Sequence, residues 1–106
     1  MTTIEILYFD GCPSHEATID LTRDVASEFS PEPIVQGIRV LDNEHAQRLQ
    51  FPGSPTVRVD GIDIDADLQP RDEYQLACRV YRNDGVLMGH PPRKWIRDAI
   101  ERSRRT

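Results

Sequence analysis

Long apolar runs are absent from this sequence, and so is any excess of positive charge. The net charge of −5 argues against nucleic acid or an anionic membrane as a general partner. No stretch approaches the run of about 20 apolar residues that a membrane-spanning helix needs. The N-terminal stretch MTTIEILYFD has neither a basic leader nor a small-residue cleavage site. We therefore expect a cytoplasmic protein without nucleic-acid or membrane partners.

Cysteine is also scarce, with only Cys12 and Cys78 in the chain. In a cytoplasmic protein, two cysteines are more often catalytic, metal-binding or simply buried than joined in a permanent disulfide. The composition, 38% hydrophobic and 29% charged over 106 residues, is typical of a small globular protein. These features predict a single domain spanning residues 1–106.

The apolar pattern predicts strands that alternate with helices. The predicted order begins with a strand at 4–9, an amphipathic helix with Ala17, Leu21, Val25 and Phe29 on one stripe, and a strand at 34–41. These elements are followed by a short helix capped by Asp42 or Asn43, a hairpin around Asp60-Gly61, and a last helix at 92–104. Two β-α steps followed by a hairpin imply a mixed sheet.

Residues 65–91 form an insertion before the last helix, and their structure is less clearly indicated. The stretch RDEYQLACRVYR has the spacing of a helix. The stretch LACRVYR, followed by NDG and VLMG, is also typical of a second hairpin. The mild alternation and the turn tripeptide favour extended structure.

Two motifs, GCPSH after the first strand and GSPT before the third strand, give the chain a resemblance to the thioredoxin-like superfamily. It is also similar to small stand-alone thioredoxin- and glutaredoxin-like proteins, some of which carry an organomercurial-lyase label. The resemblance implies a four-stranded mixed sheet of order β-α-β-α-β-β-α. It further implies that Cys12 is the nucleophile, that Pro55 follows a cis peptide bond and faces Cys12, and that Ser54, Pro55 and Pro13 bind an extended substrate.

The sequence departs from this family at His15, which stands where a dithiol motif has its second cysteine. A thiol reacts as the thiolate, and the unpaired amides at a helix start together with a cationic His15 would lower the pKa of Cys12. Asp10, if close, would act in the opposite direction. The alternatives are that Cys12 is a buried, inert cysteine and that His15 is solvated.

Topology predicts that Cys78 takes the place of the missing thiol. The first two strands end at the sheet edge that carries Cys12, and the insertion 65–91 emerges at that same edge. One hypothesis is thiol–disulfide exchange with protein or small-molecule partners, in which Cys12 attacks, Cys78 resolves the mixed disulfide and no cofactor is needed. The alternative for Cys78 is a small core residue.

Two other functions remain open from the sequence. The site could bind zinc or mercury, because thiolates and imidazoles suit soft metals; the ligand set would be Cys12, His15, Cys78 and His90. An organomercurial-lyase-like variant would use Asp10 as the acid. The chain could also be a non-catalytic binding module with a thioredoxin-like fold.

Overall fold

The computed structural model describes residues 1–105. It contains six strands and three helices, which in chain order are β1 (Thr3–Tyr8), α1 (His15–Ala26), β2 (Ile34–Arg39), α2 (Asn43–Leu49), β3 (Thr56–Val59), β4 (Ile62–Asp63), β5 (Tyr81–Asn83), β6 (Val86–Met88) and α3 (Arg93–Arg104). In this part of the chain, no helix is long and apolar enough to cross a membrane.

The four-stranded mixed sheet is confirmed, with strand order β2-β1-β3-β4. Strands β1 and β2 pair in parallel, whereas β3 is antiparallel to β1 and β4 is antiparallel to β3. The predicted hairpin turn is also confirmed. Asp60 and Gly61 both have positive φ, 50° and 84°, as the two-residue turn between twisted strands requires.

Helices α1 and α3 pack on the main core of the sheet. The predicted last helix is confirmed as α3, and it buries Ile96, Ala99 and Ile100. The predicted stripe of α1 is wrong at Ala17, which is exposed. It is confirmed at Val25, and the buried residues of α1 are Thr18, Thr22, Val25 and Ala26.

The two buried threonines of α1 explain why hydrophobicity alone misplaced this face. Thr18 Oγ1 donates to the carbonyl oxygen of Ser14 at 2.8 Å, and Thr22 Oγ1 donates to that of Thr18 at 2.7 Å. Each hydroxyl is thereby satisfied within the helix, so its burial leaves no unpaired polar group.

A second apolar cluster involves α2 and the loop that follows it. Its buried members are Leu7, Val40, Ala46, Phe51 and Tyr74. Asp42 caps α2 by accepting a hydrogen bond from the backbone amide of His45 at 2.8 Å. It is one of the two residues predicted to cap this helix. Because Tyr74 belongs to this cluster, the insertion 65–91 is anchored on the core.

The insertion 65–91 is extended and contains the second hairpin, as the sequence favoured. Strands β5 and β6 pair across Asp84 and Gly85, which both have positive φ. No helix occurs between residues 65 and 91, all of which the structure describes, so the helical alternative is wrong. Two buried tyrosines attach the insertion to the rest of the protein. Tyr74 packs in the α2 cluster, and the hydroxyl of Tyr81 donates a hydrogen bond to the loop before β3.

Candidate functional site

Cys12 lies in a tight turn between β1 and α1. Its backbone amide donates to the carbonyl oxygen of Phe9 at 3.2 Å, and Gly11, the third residue of this turn, has a φ of 94°. A positive φ at that position is typical of a type II turn and favours glycine. Cys12 is only 4% exposed, which agrees with the buried cysteine of the alternative interpretation.

His15 fixes the turn that carries Cys12. Its ring stacks on that of Tyr8, with centroids 4.4 Å apart and an interplanar angle of 5°. Nδ1 of His15 donates to the carbonyl oxygen of Cys12 at 2.8 Å. Because a carbonyl oxygen only accepts, Nδ1 carries a proton. His15 therefore contacts the backbone of Cys12 and is not the solvated side chain of the alternative interpretation.

Two other predicted residues of this region are exposed. Pro13 is exposed. Asp10 is also exposed, and its carboxylate accepts a hydrogen bond from Arg39 at 3.1 Å. This exposed ion pair occupies the Asp10 carboxylate, which is the acid of the lyase-like hypothesis.

The loop at residues 51–55, here called the cis-proline loop, precedes β3. The predicted cis peptide bond between Ser54 and Pro55 is confirmed, and a second one joins Ser30 and Pro31. Ser54 is 1% exposed, and its Oγ is a buried side-chain atom without a hydrogen-bond partner. Such an unused donor is uncommon in a folded protein.

Residues 77–79 pair with the cis-proline loop as a short parallel β-bridge that joins Ser54 to Cys78. The amide of Ser54 donates to the carbonyl oxygen of Ala77 at 2.8 Å, and the amide of Arg79 donates to that of Ser54 at 2.9 Å. Both backbone groups of Ser54 are therefore used within the chain. This differs from the sequence-based expectation that they receive an external extended substrate.

Gly53 is the residue that allows this close approach. A Cβ atom on Gly53 would lie 2.7 Å from Cβ of Arg79, and its φ is 133°. Neither the space nor the backbone conformation suits any other residue. The glycine of the GSPT motif is therefore explained by contact with the insertion 65–91.

Arg79 is the centre of a buried polar network that the sequence analysis missed. Its guanidinium donates to both carboxylate oxygens of Asp63, at 2.7 and 3.0 Å, and to Thr56 Oγ1 at 3.2 Å. It also lies 4.5 Å from the ring centroid of Tyr81. Burial opposes the charge, but the hydrogen bonds to Asp63 and the charges around it raise the pKa of Arg79 above its ordinary value.

Tyr81 links this network to the cis-proline loop. Its hydroxyl donates to the carbonyl oxygen of Pro55 at 2.6 Å, and burial raises the pKa of Tyr81 far above its ordinary value. Two features of the sequence are compatible with this network. Arg79 and Tyr81 alternate in one strand-like stretch, and the stretch DIDAD at 63–67 supplies acidic residues. From sequence alone, that pattern is indistinguishable from a solvated surface.

The end of the insertion 65–91 returns to the start of α1. A Cβ atom on Gly89 would lie 2.5 Å from Oγ of Ser14, two residues after Cys12. His90 is half-buried, and its Nδ1 donates to the carbonyl oxygen of Pro91 at 3.0 Å. The insertion therefore contacts both the helix that follows Cys12 and the cis-proline loop.

The two thiols are free and differ in exposure. Cys12 is buried, whereas Cys78 is exposed and is not the small core residue of the alternative interpretation. Cys78 lines a polar groove of about 400 Å³ beside the cis-proline loop. Its other lining residues are Pro52, Asp65, Asp67, Leu68, Gln69, Pro70, Arg71, Arg79 and Val80.

The proposed metal ligands do not form a cluster. Within residues 1–105, no group of three or more histidine, cysteine, aspartate or glutamate side chains is arranged to hold a metal ion. The set of Cys12, His15, Cys78 and His90 is therefore not brought together as the zinc or mercury hypothesis requires.

Comparison with known proteins gave no match at a significant level to any family model, curated protein or solved structure.

Proposed function

We propose that this chain is a thioredoxin-like protein that carries out thiol–disulfide exchange through Cys12 and Cys78. The observation that carries the proposal is the β-bridge between Ser54 and Cys78. It fixes the second cysteine of the chain beside the cis-proline loop, although 66 residues separate it from Cys12. The substrates would be disulfides of small molecules or proteins, and no cofactor takes part.

The fold supports the same proposal. The strand order β2-β1-β3-β4, with β3 and β4 antiparallel to their neighbours, is the arrangement that the family resemblance implies. The cis Ser54–Pro55 bond adds a feature that is seen in only about 5–6% of X-Pro bonds in folded proteins. Together with the position of Cys12 between β1 and α1, these features favour a redox role over a purely structural one.

The net reaction is balanced without a further co-reactant. The two thiols of Cys12 and Cys78 lose two electrons and two protons and form one disulfide. A substrate disulfide gains them and leaves as two thiols.

The test is equilibration of the reduced protein with oxidised glutathione, followed by intact-mass analysis and thiol counting. We expect a loss of about 2 Da and of both free thiols, without any bound glutathione. The Cys12→Ser and Cys78→Ser proteins are matched controls that cannot form the internal disulfide. A wild-type protein that retains two free thiols, or that carries glutathione on both, would refute the proposal.

A further inference from the structure

We infer that Cys78, and not Cys12, is the thiol that attacks the substrate disulfide, and that Cys12 then closes the internal disulfide. The inference rests on the proposed function and reverses the order that the sequence suggests. Its basis is the difference in exposure: Cys12 is 4% exposed, whereas Cys78 is exposed. A substrate disulfide must approach the attacking sulfur in line, and only Cys78 offers that access.

The surroundings of Cys78 fit a small polar disulfide. The groove that it lines, of about 400 Å³, lies within the range of about 300–1,000 Å³ typical of small-molecule sites. Arg71 and Gln69 can donate hydrogen bonds to peptide and carboxylate oxygens, and the carboxylates of Asp65 and Asp67 can accept from amide and ammonium groups. A low-molecular-weight peptide disulfide is therefore the substrate class that we assign to this groove.

Burial of Cys12 is no obstacle to the second step. Its attack is on the sulfur of Cys78 within the same chain, so Cys12 needs no access to solvent. Burial also prevents bulky substrate disulfides from reaching Cys12. The substrate therefore reacts with Cys78 first, and Cys12 attacks only the mixed disulfide. The turn that holds Cys12 is fixed by the hydrogen bond from His15 to its carbonyl oxygen.

The Cys78 thiolate attacks one sulfur of the substrate, the substrate S–S bond breaks, and the first substrate thiol leaves and takes up a proton from water. The Cys12 thiolate then attacks Sγ of Cys78, the mixed disulfide breaks, and the second substrate thiol leaves in the same way. The protein ends oxidised by two electrons, and the substrate ends as two thiols.

The experiment follows glutathione attachment to the single-cysteine variants by intact mass over time, with oxidised glutathione as the probe. Cys12→Ser leaves only Cys78, and we expect it to accumulate a stable adduct of one glutathione. Cys78→Ser leaves only Cys12, and we expect adduct formation at least about tenfold slower, since attack requires an accessible thiolate. Cys12→Ala is included in case serine at this buried position disturbs folding.

The outcomes distinguish this inference from the function on which it rests. Faster modification of Cys12 than of Cys78 would overturn the order of attack, while a wild-type internal disulfide would still support thiol–disulfide exchange. Equal rates for the two variants would also overturn the order. A wild-type protein that carries two glutathiones and forms no internal disulfide would refute the proposed function itself.

Discussion

The main core and the attachment of the insertion 65–91 are built from different interactions. The main core, between the sheet and helices α1 and α3, is apolar, and Ile6, Ile96 and Ile100 are completely buried in it. Burial of such side chains contributes about 1.5–3 kcal/mol each. This contribution is non-directional, so it stabilises the fold without fixing the position of any particular atom.

The insertion is held beside the cis-proline loop mainly by directional contacts. Arg79 binds Asp63 through two hydrogen bonds, Tyr81 donates to Pro55, and residues 77–79 pair with Ser54. Buried ion pairs add little net stability, because desolvation offsets the attraction, but their geometry is strict. The comparison indicates that the core determines how stable the fold is, whereas the polar network determines where Cys78 lies.

The largest expected effect is that of Arg79→Met, which would leave the Asp63 carboxylate buried without its partner. Asp63 has a side-chain exposure of only 11%, and breaking such a pair costs about 3–5 kcal/mol. Urea unfolding measures the loss. The double replacement Asp63→Leu with Arg79→Met should recover at least about half of it, since it removes both charges.

The outcome of that double replacement separates the two regions. If the double variant is as unstable as Arg79→Met alone, the network contributes net stability, and the comparison with the apolar core fails. In the recovered double variant, we expect the internal disulfide of Cys12 and Cys78 to form less readily, because the contact that orients residues 77–79 is lost.

A slightly smaller effect is expected in the apolar core. Ile100→Ala should lower the free energy of unfolding by about 2–5 kcal/mol, through lost transfer energy and the cavity that remains. Ile62→Ala is the matched control, because Ile62 is 74% exposed and its truncation should change stability by no more than about 0.5 kcal/mol. Similar values for the two variants in urea unfolding would contradict the assignment of the core.

The smallest effect concerns alkaline pH. Burial raises the pKa of Tyr81, so the unfolded chain loses this phenolic proton first. The stability from Tyr81 is therefore complete below about pH 10 and falls as the pH rises further, by at most about 1.4 kcal/mol per pH unit. Tyr81→Phe should flatten this part of the stability profile.

The measurement is urea unfolding from pH 8 to pH 11 in a chain whose two cysteines are serine, so that thiols do not titrate. Tyr74→Phe serves as the control, since it removes a different tyrosine hydroxyl from the same insertion. An alkaline loss that is as steep in Tyr81→Phe as in the parent chain would show that the network does not hold the phenol protonated.

Local sequence determined the elements and much of their arrangement. Asp60-Gly61 between alternating valines and isoleucines specifies the hairpin, and Pro92 marks the start of the last helix, because both signals act through the backbone of a few neighbouring residues. The position of Pro55 after GS also led to the correct cis bond, through resemblance to a family. The hairpin and helix-start signals are short-range properties, and they can be read without knowing the fold.

Tertiary structure alone decided the state of the two thiols. Cys12 is buried, Cys78 is exposed beside Ser54, and Arg79 is enclosed by Asp63, Thr56 and Tyr81. Exposure depends on how residues distant in sequence cover one another. The pairing of Arg79 with Asp63 could not be predicted from local sequence, because 16 residues separate them. The pairing of 77–79 with the cis-proline loop is a long-range contact of the same kind, so only the folded chain shows which cysteine is exposed.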